Sequence, residues 1–369
     1  MCNLSYHTRK KPYSCYKVKK ATLIRARGES EEQPALSHWT LSCFSHAIYC
    51  DLSSTEKLIT MWLLLVVLLG LVFLYRRYRY SQILDNLTDK YVFITGCDTG
   101  FGNLLAKQLD KRGMKVLAAC LTDRGADTLK KETSSRLQTV LLDVSSSQSV
   151  SAAADWVKDI VRDKGLWGLV NNAGIGLPVA KNEWLTKDDF ANVLNVNLLG
   201  VIDVTLKMLP MIRRARGRVV NVASIAGRIT ICGGGYCISK YGVESFSDSL
   251  RYELSRFGVN VCIIEPGYFK TLICNPESIL GKLRNIWENL SEEIRTAYGQ
   301  QYFENHCSRT AEGLAKCNPK LHLVTDCMEH ALTAVYPKTR YSAGLDAKLL
   351  FIPLSYCPAV ITDLFFSQK

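Results

Sequence analysis

The sequence predicts an α/β protein: a single domain on one doubly wound parallel sheet, preceded by a membrane helix. Three observations carry that expectation. Short apolar runs of strand length alternate with longer stretches of helical spacing, the pattern of a parallel sheet covered on both faces. The first of those runs ends in a glycine-rich turn, Gly96 to Gly102. An almost uncharged run of 18 residues, 58–75, stands ahead of them all.

Composition narrows the function classes. The 369 residues are 47% apolar and 22% charged, which suits a globular protein with a substantial core. The net charge is +12, and the first 60 residues supply +4 of it, nine Lys/Arg against five Asp/Glu. No long Lys/Arg run with interleaved aromatics occurs, so nucleic acid is not an expected partner. The 14 cysteines are scattered, without a Cys-x-x-Cys pair or a Cys/His cluster of metal spacing, so no metal site is expected. Cys120 and Cys262 sit in apolar runs and read as small buried hydrophobes. Reduced thiols and a cytosolic setting follow as expectations.

Residues 1–57 show no sustained periodicity and are expected to be an unstructured extension. The run 58–75 is near the lower limit of about 17 residues for a spanning helix. No small-residue cleavage site follows it. Arg76, Arg77 and Arg79 follow instead, with Tyr75, Tyr78 and Tyr80 between them. Basic residues mark a cytoplasmic flank and Tyr favours the interface. The run therefore reads as an anchor, with a cytosolic domain after it. Met61 opens its most apolar part, which leaves open that the functional protein starts there and that residues 1–60 are an upstream extension rather than a genuine tail.

The catalytic domain is expected over 85–345. Tyr91 to Thr95 reads as a buried strand, and Asn103 to Arg112 has helical spacing. Glycines are needed where the backbone turns tightly and approaches a pyrophosphate at a helix N-terminus. Thr95, Gly96, Asp98, Thr99, Gly100, Phe101 and Gly102 are thus candidate dinucleotide-binding residues of a Rossmann-type fold. The second strand, Val116 to Cys120, ends at Leu121-Thr122, with Asp123 and Arg124 beyond. An acid there would suit a ribose 2′-OH and an Arg a 2′-phosphate, so this tip is ambiguous. The third strand, Leu137 to Val144, carries Asp143. Its carboxylate either accepts from an adenine amino group or caps the helix that starts near Ser146.

Gly168 to Val170 is the fourth strand and leads into Asn171-Asn172-Ala173-Gly174, a tight turn suited to a cofactor edge. Asp188 to Arg213 reads as one long helix. Asn195 and Asn197 lie within it, and a buried Asn there must hydrogen-bond or line a cavity. Gly217 to Ala223 is the fifth strand, closed by Ser224. The glycine run 233–235 then opens a helix carrying Tyr236 and Lys240, one turn apart. An ammonium beside a phenol favours the phenolate and makes it a usable proton acceptor near neutral pH. Val259 to Glu265 is the sixth strand, broken by Pro266-Gly267. A last apolar stretch, Leu349 to Phe366 within 346–369, contains Pro353, Pro358 and Asp363. It is expected to lie on the bilayer or against the domain rather than to span.

From about Lys90 to Ser342 the chain resembles the short-chain dehydrogenases/reductases. The resemblance rests on Thr95-Gly96-x-x-x-Gly100-x-Gly102, Asn171-Asn172-Ala173-Gly174, Asn197, Ser224, Tyr236-x-x-x-Lys240 and Pro266-Gly267, in that order. It looks most like the microsomal retinol and hydroxysteroid dehydrogenases, through stretches such as Lys164-Gly165-Leu166-Trp167-Gly168-Leu169 and Gly233-Gly234-Gly235-Tyr236-Cys237. Those relatives resemble this chain only from Met61 onward. Ala223 departs from the Ser common before Ser224, and the chain stops at Lys369, early for the subgroup.

The resemblance implies roles. Tyr236 would be the acid/base, and Lys240 would lower its pKa and hold the nicotinamide ribose. Ser224 would bond the reacting oxygen, and Asn197 would hold a water leading from Lys240. Asn172, Ala173 and Gly174 would line the cofactor; Pro266, Gly267 and Thr271 would close over the nicotinamide carboxamide. Residues 272–318 would form a substrate lid. The subgroup implies NAD, no metal, a retinoid or steroid alcohol as lipophilic substrate, and an endoplasmic reticulum membrane; it leaves a homodimer open. Two other readings stand beside it: an NADP-dependent carbonyl reductase, and a non-catalytic dinucleotide sensor or scaffold. The second has no use for Asn197, Ser224, Tyr236 and Lys240 together.

Overall fold

The structure, a computed structural model, describes residues 54–367; the extension expected over 1–57 lies outside these except for its last four residues. Those four already belong to helix α1, Ser54–Ser81. Its run 58–75 is apolar on every side, and Trp62, Leu64 and Phe73 are all more than half exposed. Such a surface belongs in a core or a bilayer. By length and composition α1 can cross a membrane, as the sequence predicts. The chain divides into two units, the second of which is Val72–Lys369.

The second unit is built on a seven-stranded sheet in the order β3-β2-β1-β4-β5-β6-β7. The strands are β1 Tyr91–Thr95, β2 Lys115–Cys120, β3 Leu137–Leu141, β4 Gly168–Asn171, β5 Arg218–Val222, β6 Asn260–Pro266 and β7 Arg340–Ala343. All pairings are parallel. Strand order reverses between β1 and β4, and ligands of open α/β sheets bind outside the carboxyl ends at such a point. The carboxyl ends of β1, β4, β5 and β6 carry Thr95, Asn171, Val222 and Pro266, so parallel pairing alone gathers the sequence motifs along one edge.

Alternation within β1 divides the core. Val92 and Ile94 face one layer, with Leu105, Leu109, Val324 and Met328. Phe93 faces the other, with Leu117, Val157, Leu169, Met208 and Leu250. The covering helices are α2 Gly100–Lys111, α3 Asp123–Lys131, α4 Ser147–Val161, α5 Lys187–Leu194, α6 Gly200–Ala215 and α7 Gly235–Leu254. Beyond β6 come α8 Pro276–Glu288, α9 Glu292–Tyr298, α10 Gln300–Ala315 and α11 His322–Thr333. Trp287 stacks on Phe303 at 4.7 Å, and Trp184 closes on Trp287 at 5.1 Å. The region 272–318 thus shares an aromatic core with Trp184.

Three features differ from the sequence reading. The third strand stops at Leu141, short of Val144. The expected long helix is continuous but changes pitch: a π-helical turn, Asn195–Leu199, separates α5 from α6. β7 was not read at all; four residues with only Tyr341 and Ala343 buried offer too short a pattern. The apolar C-terminal stretch bends at its prolines into a turn, Ala347–Leu354, and a last helix, α12 Ala359–Ser367. It docks on the domain through Phe351, which packs with Ile225 and Ile229 and meets Tyr268 edge-on at 5.8 Å.

Candidate active site

The glycine turn is fixed from both sides. Thr95 Oγ1 accepts from the N–H groups of Asn172 and Ala173, each at 3.0 Å. Asn172 Nδ2 in turn donates to the carbonyls of Thr95 and Gly96, at 2.9 and 3.0 Å. Gly96 has φ +71°, and a Cβ there would lie 2.8 Å from Ala173 Cα. A Cβ on Gly102 would lie 2.3 Å from the Gly96 carbonyl oxygen. No side chain fits at either point. The turn therefore presents bare backbone at the start of α2, whose N-cap, Thr99, makes no side-chain capping bond. Unspent N–H groups at the positive end of a helix suit a pyrophosphate. Phe101 packs edge-on against Phe269 at 5.8 Å, which ties the turn to the segment after β6. Thr271 is near as well: its methyl lies 3.9 Å from where a Cβ on Gly100 would stand.

Asp98 and Asp143 are both spent on the protein's own backbone. The Asp98 carboxylate accepts from Leu121 N, Thr122 N and Thr122 Oγ1, at 2.8, 3.0 and 2.7 Å, and so shapes the tip of β2. Leu121 at that tip is 63% exposed and offers no charge to a 2′-phosphate. Asp143 accepts from Ser145 N and Oγ. The cap of α4 is Ser146, which accepts from Ser149 N. The capping alternative for Asp143 is therefore taken by its neighbour.

Tyr236 and Lys240 share one face of α7. Lys240 is buried and donates to the Val222 carbonyl at 2.9 Å, so α7 is tied to the end of β5. Its Nζ lies 5.7 Å from the Tyr236 ring centroid. Asn197, fully buried on the π-helical turn, binds Ile175 N and O, each at 2.8 Å. It also donates to Ser239 Oγ at 3.2 Å, and Ser239 donates to the Tyr236 carbonyl at 2.6 Å. A Cβ on Gly174 would stand 3.2 Å from Asn197 Oδ1 and 3.8 Å from Lys240 Nζ, which puts these three residues together. Ser224, buried, accepts from Ala226 N at 3.1 Å and reaches the Pro266 carbonyl at 3.5 Å. Gly267 N donates to Ala343 O at 2.9 Å, joining that turn to β7.

Electrostatics here differ from the simple expectation. Burial raises the Tyr236 phenol above its ordinary value, and a hydrogen bond with Ser224 pulls the other way. Burial also lowers Lys240 to about 8, against an upward pull from Glu244. Desolvation of the phenol thus outweighs the expected help from the ammonium, which is engaged by the Val222 carbonyl instead.

Beyond Asn171, several supporting residues, Thr205, Asn221, Ser247, Arg340 and Asp346, went unread in the sequence. Asn171 Nδ2 donates to Thr205 Oγ1 and Asn221 Oδ1, and Asn221 Nδ2 to Ser247 Oγ, all at 2.8 Å. A polar Asn221 inside an otherwise apolar strand was the available signal. Arg340 on β7 binds Glu244, Glu265 and Asp248. Its role could not be found without knowing that β7 lies beside β6. Asp346 accepts from Tyr268 N at 2.7 Å and fixes the turn after Gly267.

A parallel sheet with a bare-backbone cradle at its reversal point, and Ser, Tyr and Lys gathered beside it, defines a Rossmann-type dinucleotide oxidoreductase. The short chain dehydrogenase profile matches residues 90–278. Human retinol dehydrogenase 16 is 61% identical over 303 residues, 82% of this chain and 96% of that protein. Human 17-beta-hydroxysteroid dehydrogenase type 6 is 56% identical over 309 residues, 84% of this chain and 98% of that protein. Among solved structures, a short-chain dehydrogenase from Streptomyces avermitilis aligns with TM-score 0.60 at 23% identity, covering 76% of this chain and 96% of that one. One from Burkholderia phymatum, solved in complex with NAD, aligns with TM-score 0.60 at 22% identity, covering 78% and 98%. The chain belongs to the short-chain dehydrogenase family, whose cofactor is a nicotinamide dinucleotide. It is an enzyme, an oxidoreductase.

Proposed function

We propose that the chain oxidises a lipophilic alcohol, a retinol or a 3α- or 17β-hydroxysteroid, with NAD as hydride acceptor, while anchored in the endoplasmic reticulum membrane. The observation that carries this reading is the cluster of Ser224, Tyr236, Lys240 and Asn197 beside the bare-backbone cradle. The retinol and hydroxysteroid dehydrogenases named above support the substrate class. A lipophilic substrate partitions into the bilayer, so an anchor such as α1 suits it.

The residues divide the work. Thr95, Gly96, Thr99, Gly100, Phe101 and Gly102 hold the pyrophosphate side of the cofactor by backbone. Asp98 and Asp143 shape its adenosine end. Asn172, Ala173, Gly174, Pro266, Gly267 and Thr271 line the nicotinamide side. A bound nicotinamide supplies the hydride acceptor. Ser224 Oγ hydrogen-bonds the substrate oxygen as it gains alkoxide character. Tyr236 Oη takes the hydroxyl proton as the phenol's own proton leaves toward Lys240. Lys240, with its pKa near 8, is tuned to exchange a proton near neutrality. Asn197 holds the Ile175 backbone beside Lys240, where a water can lead to solvent. Residues 272–318 cover the substrate.

Arg124, in the first turn of α3, has no side-chain partner among the described residues, which gives some weight to NADP and carbonyl reduction. A turnover panel on purified membranes separates the two readings: retinol and 3α- and 17β-hydroxysteroids, each with NAD and NADP. Oxidation with NAD is expected to dominate. Faster reduction of the corresponding carbonyls with NADPH would overturn the reading.

A further inference from the structure

Away from the catalytic edge, the most fully built feature is a cleft of about 380 Å³ at the carboxyl end of α1. That volume falls within the rough range of 300–1,000 Å³ for small-molecule sites. Arg76 and Arg79 line it, together with Tyr75, Tyr80, Asn260 and Tyr336. Its two walls are tied together by backbone. Val335 N donates to Gln82 O at 2.8 Å, and Leu84 N to Thr333 O at 2.9 Å. His330 Nε2 meets the Tyr80 carbonyl at 2.6 Å.

The guanidinium groups are held by rings, not by acids. Arg79 lies 4.0 Å from the Tyr336 ring centroid and 5.8 Å from that of Tyr75. Arg76 lies 5.9 Å from the Tyr80 centroid and donates to the Tyr80 hydroxyl at 3.4 Å. Lys338 is 5.0 Å from the same Tyr80 ring. No carboxylate lines the cleft, and none of these three cations has a carboxylate partner among the described residues. A solvated Arg is unremarkable, but two planar forks held on aromatic faces in one acid-free cleft form a preorganised anion site.

Depth suggests which anion. Arg76 directly follows the apolar run 58–75, and at 1.5 Å rise per residue Arg79 stands only about 6 Å past its end. That is headgroup level for a helix ending at the hydrocarbon boundary. We propose that this cleft binds the phosphate-bearing headgroup of an anionic phospholipid. A zwitterionic lipid is disfavoured, because its headgroup brings no net negative charge to Arg76, Arg79 and Lys338.

The proposal rests on the anchor reading of 58–75, so its test is run in micelles, where headgroup binding reads out whether or not that run spans a bilayer. The full chain in neutral detergent micelles is doped with phosphatidylserine or phosphatidylcholine, and its thermal unfolding is followed. Phosphatidylserine should raise Tm by roughly 3 °C and phosphatidylcholine should not. The shift should vanish in the Arg76→Gln/Arg79→Gln double variant and persist in Arg77→Gln, an arginine outside the lining. Equal shifts with both lipids, or equal loss in Arg77→Gln, would mean diffuse attraction and overturn the site. A matching shift from millimolar inorganic phosphate in phosphatidylcholine micelles would make the ligand a free anion and overturn the lipid assignment. If the double variant folds poorly, Arg79→Lys decides: it keeps charge but loses the fork, so about half the shift should remain. Full retention would refute the fork geometry.

Discussion

Asn197 grips both main-chain groups of Ile175, accepting from its N–H and donating to its carbonyl, each at 2.8 Å. The grip comes from the π-helical turn and holds the segment that follows Gly174 beside Lys240. Replacing Asn197 with Ala would remove the protein partner of both main-chain groups of Ile175, a partly exposed residue that water can reach. At about 0.5–1.5 kcal/mol net for each of the two bonds, a loss of roughly 1–3 kcal/mol in stability is expected along with lost turnover. Thermal unfolding checks it. An unchanged Tm with turnover lost would mean that the side chain acts in chemistry alone.

Tyr236→Phe should abolish alcohol oxidation and leave dinucleotide binding nearly intact, since the phenol supplies a proton and little else to the cofactor. Steady-state turnover and a cofactor fluorescence titration read the two effects separately. Residual activity above a few per cent of wild type would remove Tyr236 from the acid/base role.

NAD should be preferred over NADP, because the exposed tip residue Leu121 carries no charge. Leu121→Arg should improve kcat/KM with NADP by at least about tenfold, or about 1.4 kcal/mol. If wild type already uses NADP as well as NAD, Arg124 is supplying the cation.

The lowered pKa of Lys240 makes a stability prediction. An ordinary lysine holds its proton to about 10.5, while Lys240 gives it up near 8. Between those values the unfolded chain binds more protons, so this group makes stability rise with pH there. Below pH 8 the buried charge is a standing cost. Lys240→Met removes it, so the variant's advantage should be largest below pH 8 and shrink by about 3 kcal/mol as pH approaches 10.5. Glu244, raised to about 7 by burial, acts in the opposite sense and in a lower window, between its ordinary 4.5 and 7. Paired unfolding curves of variant and wild type at pH 7, 8, 9 and 10 test this. A gap independent of pH would mean that Lys240 does not titrate in that range.

Removing the anchor should release most of the protein from membranes. A cut at Asp85, the natural choice from sequence, would also strip Gln82, Ile83 and Leu84 from their pairing with 333–335. A chain starting at Tyr80 keeps that pairing and the contact to His330, and is expected to fold and remain at most peripherally bound through α12. Protease treatment of sealed microsomes tests orientation: a domain protected until detergent is added is lumenal, contrary to the reading of Arg76, Arg77 and Arg79.

What the sequence determined by itself was whatever is local. The glycine turn, the buried strand runs, the apolar helix and the one-turn spacing of Tyr236 and Lys240 all follow from φ requirements, burial periodicity and helical rise. It also foretold that a buried Asn197 must hydrogen-bond or line a cavity, without saying which, or to what it would bond. The tertiary structure decided everything that depends on which strands and helices become neighbours. It brought Arg340 to Glu244 and Glu265, spent Asp98 on the tip of β2, gave the capping of α4 to Ser146, and turned Lys240 toward Val222. Desolvation belongs in the same group. The raised phenol of Tyr236 and the lowered ammonium of Lys240 arise because the packed fold removes water from both, and no spacing along the chain encodes how much water remains.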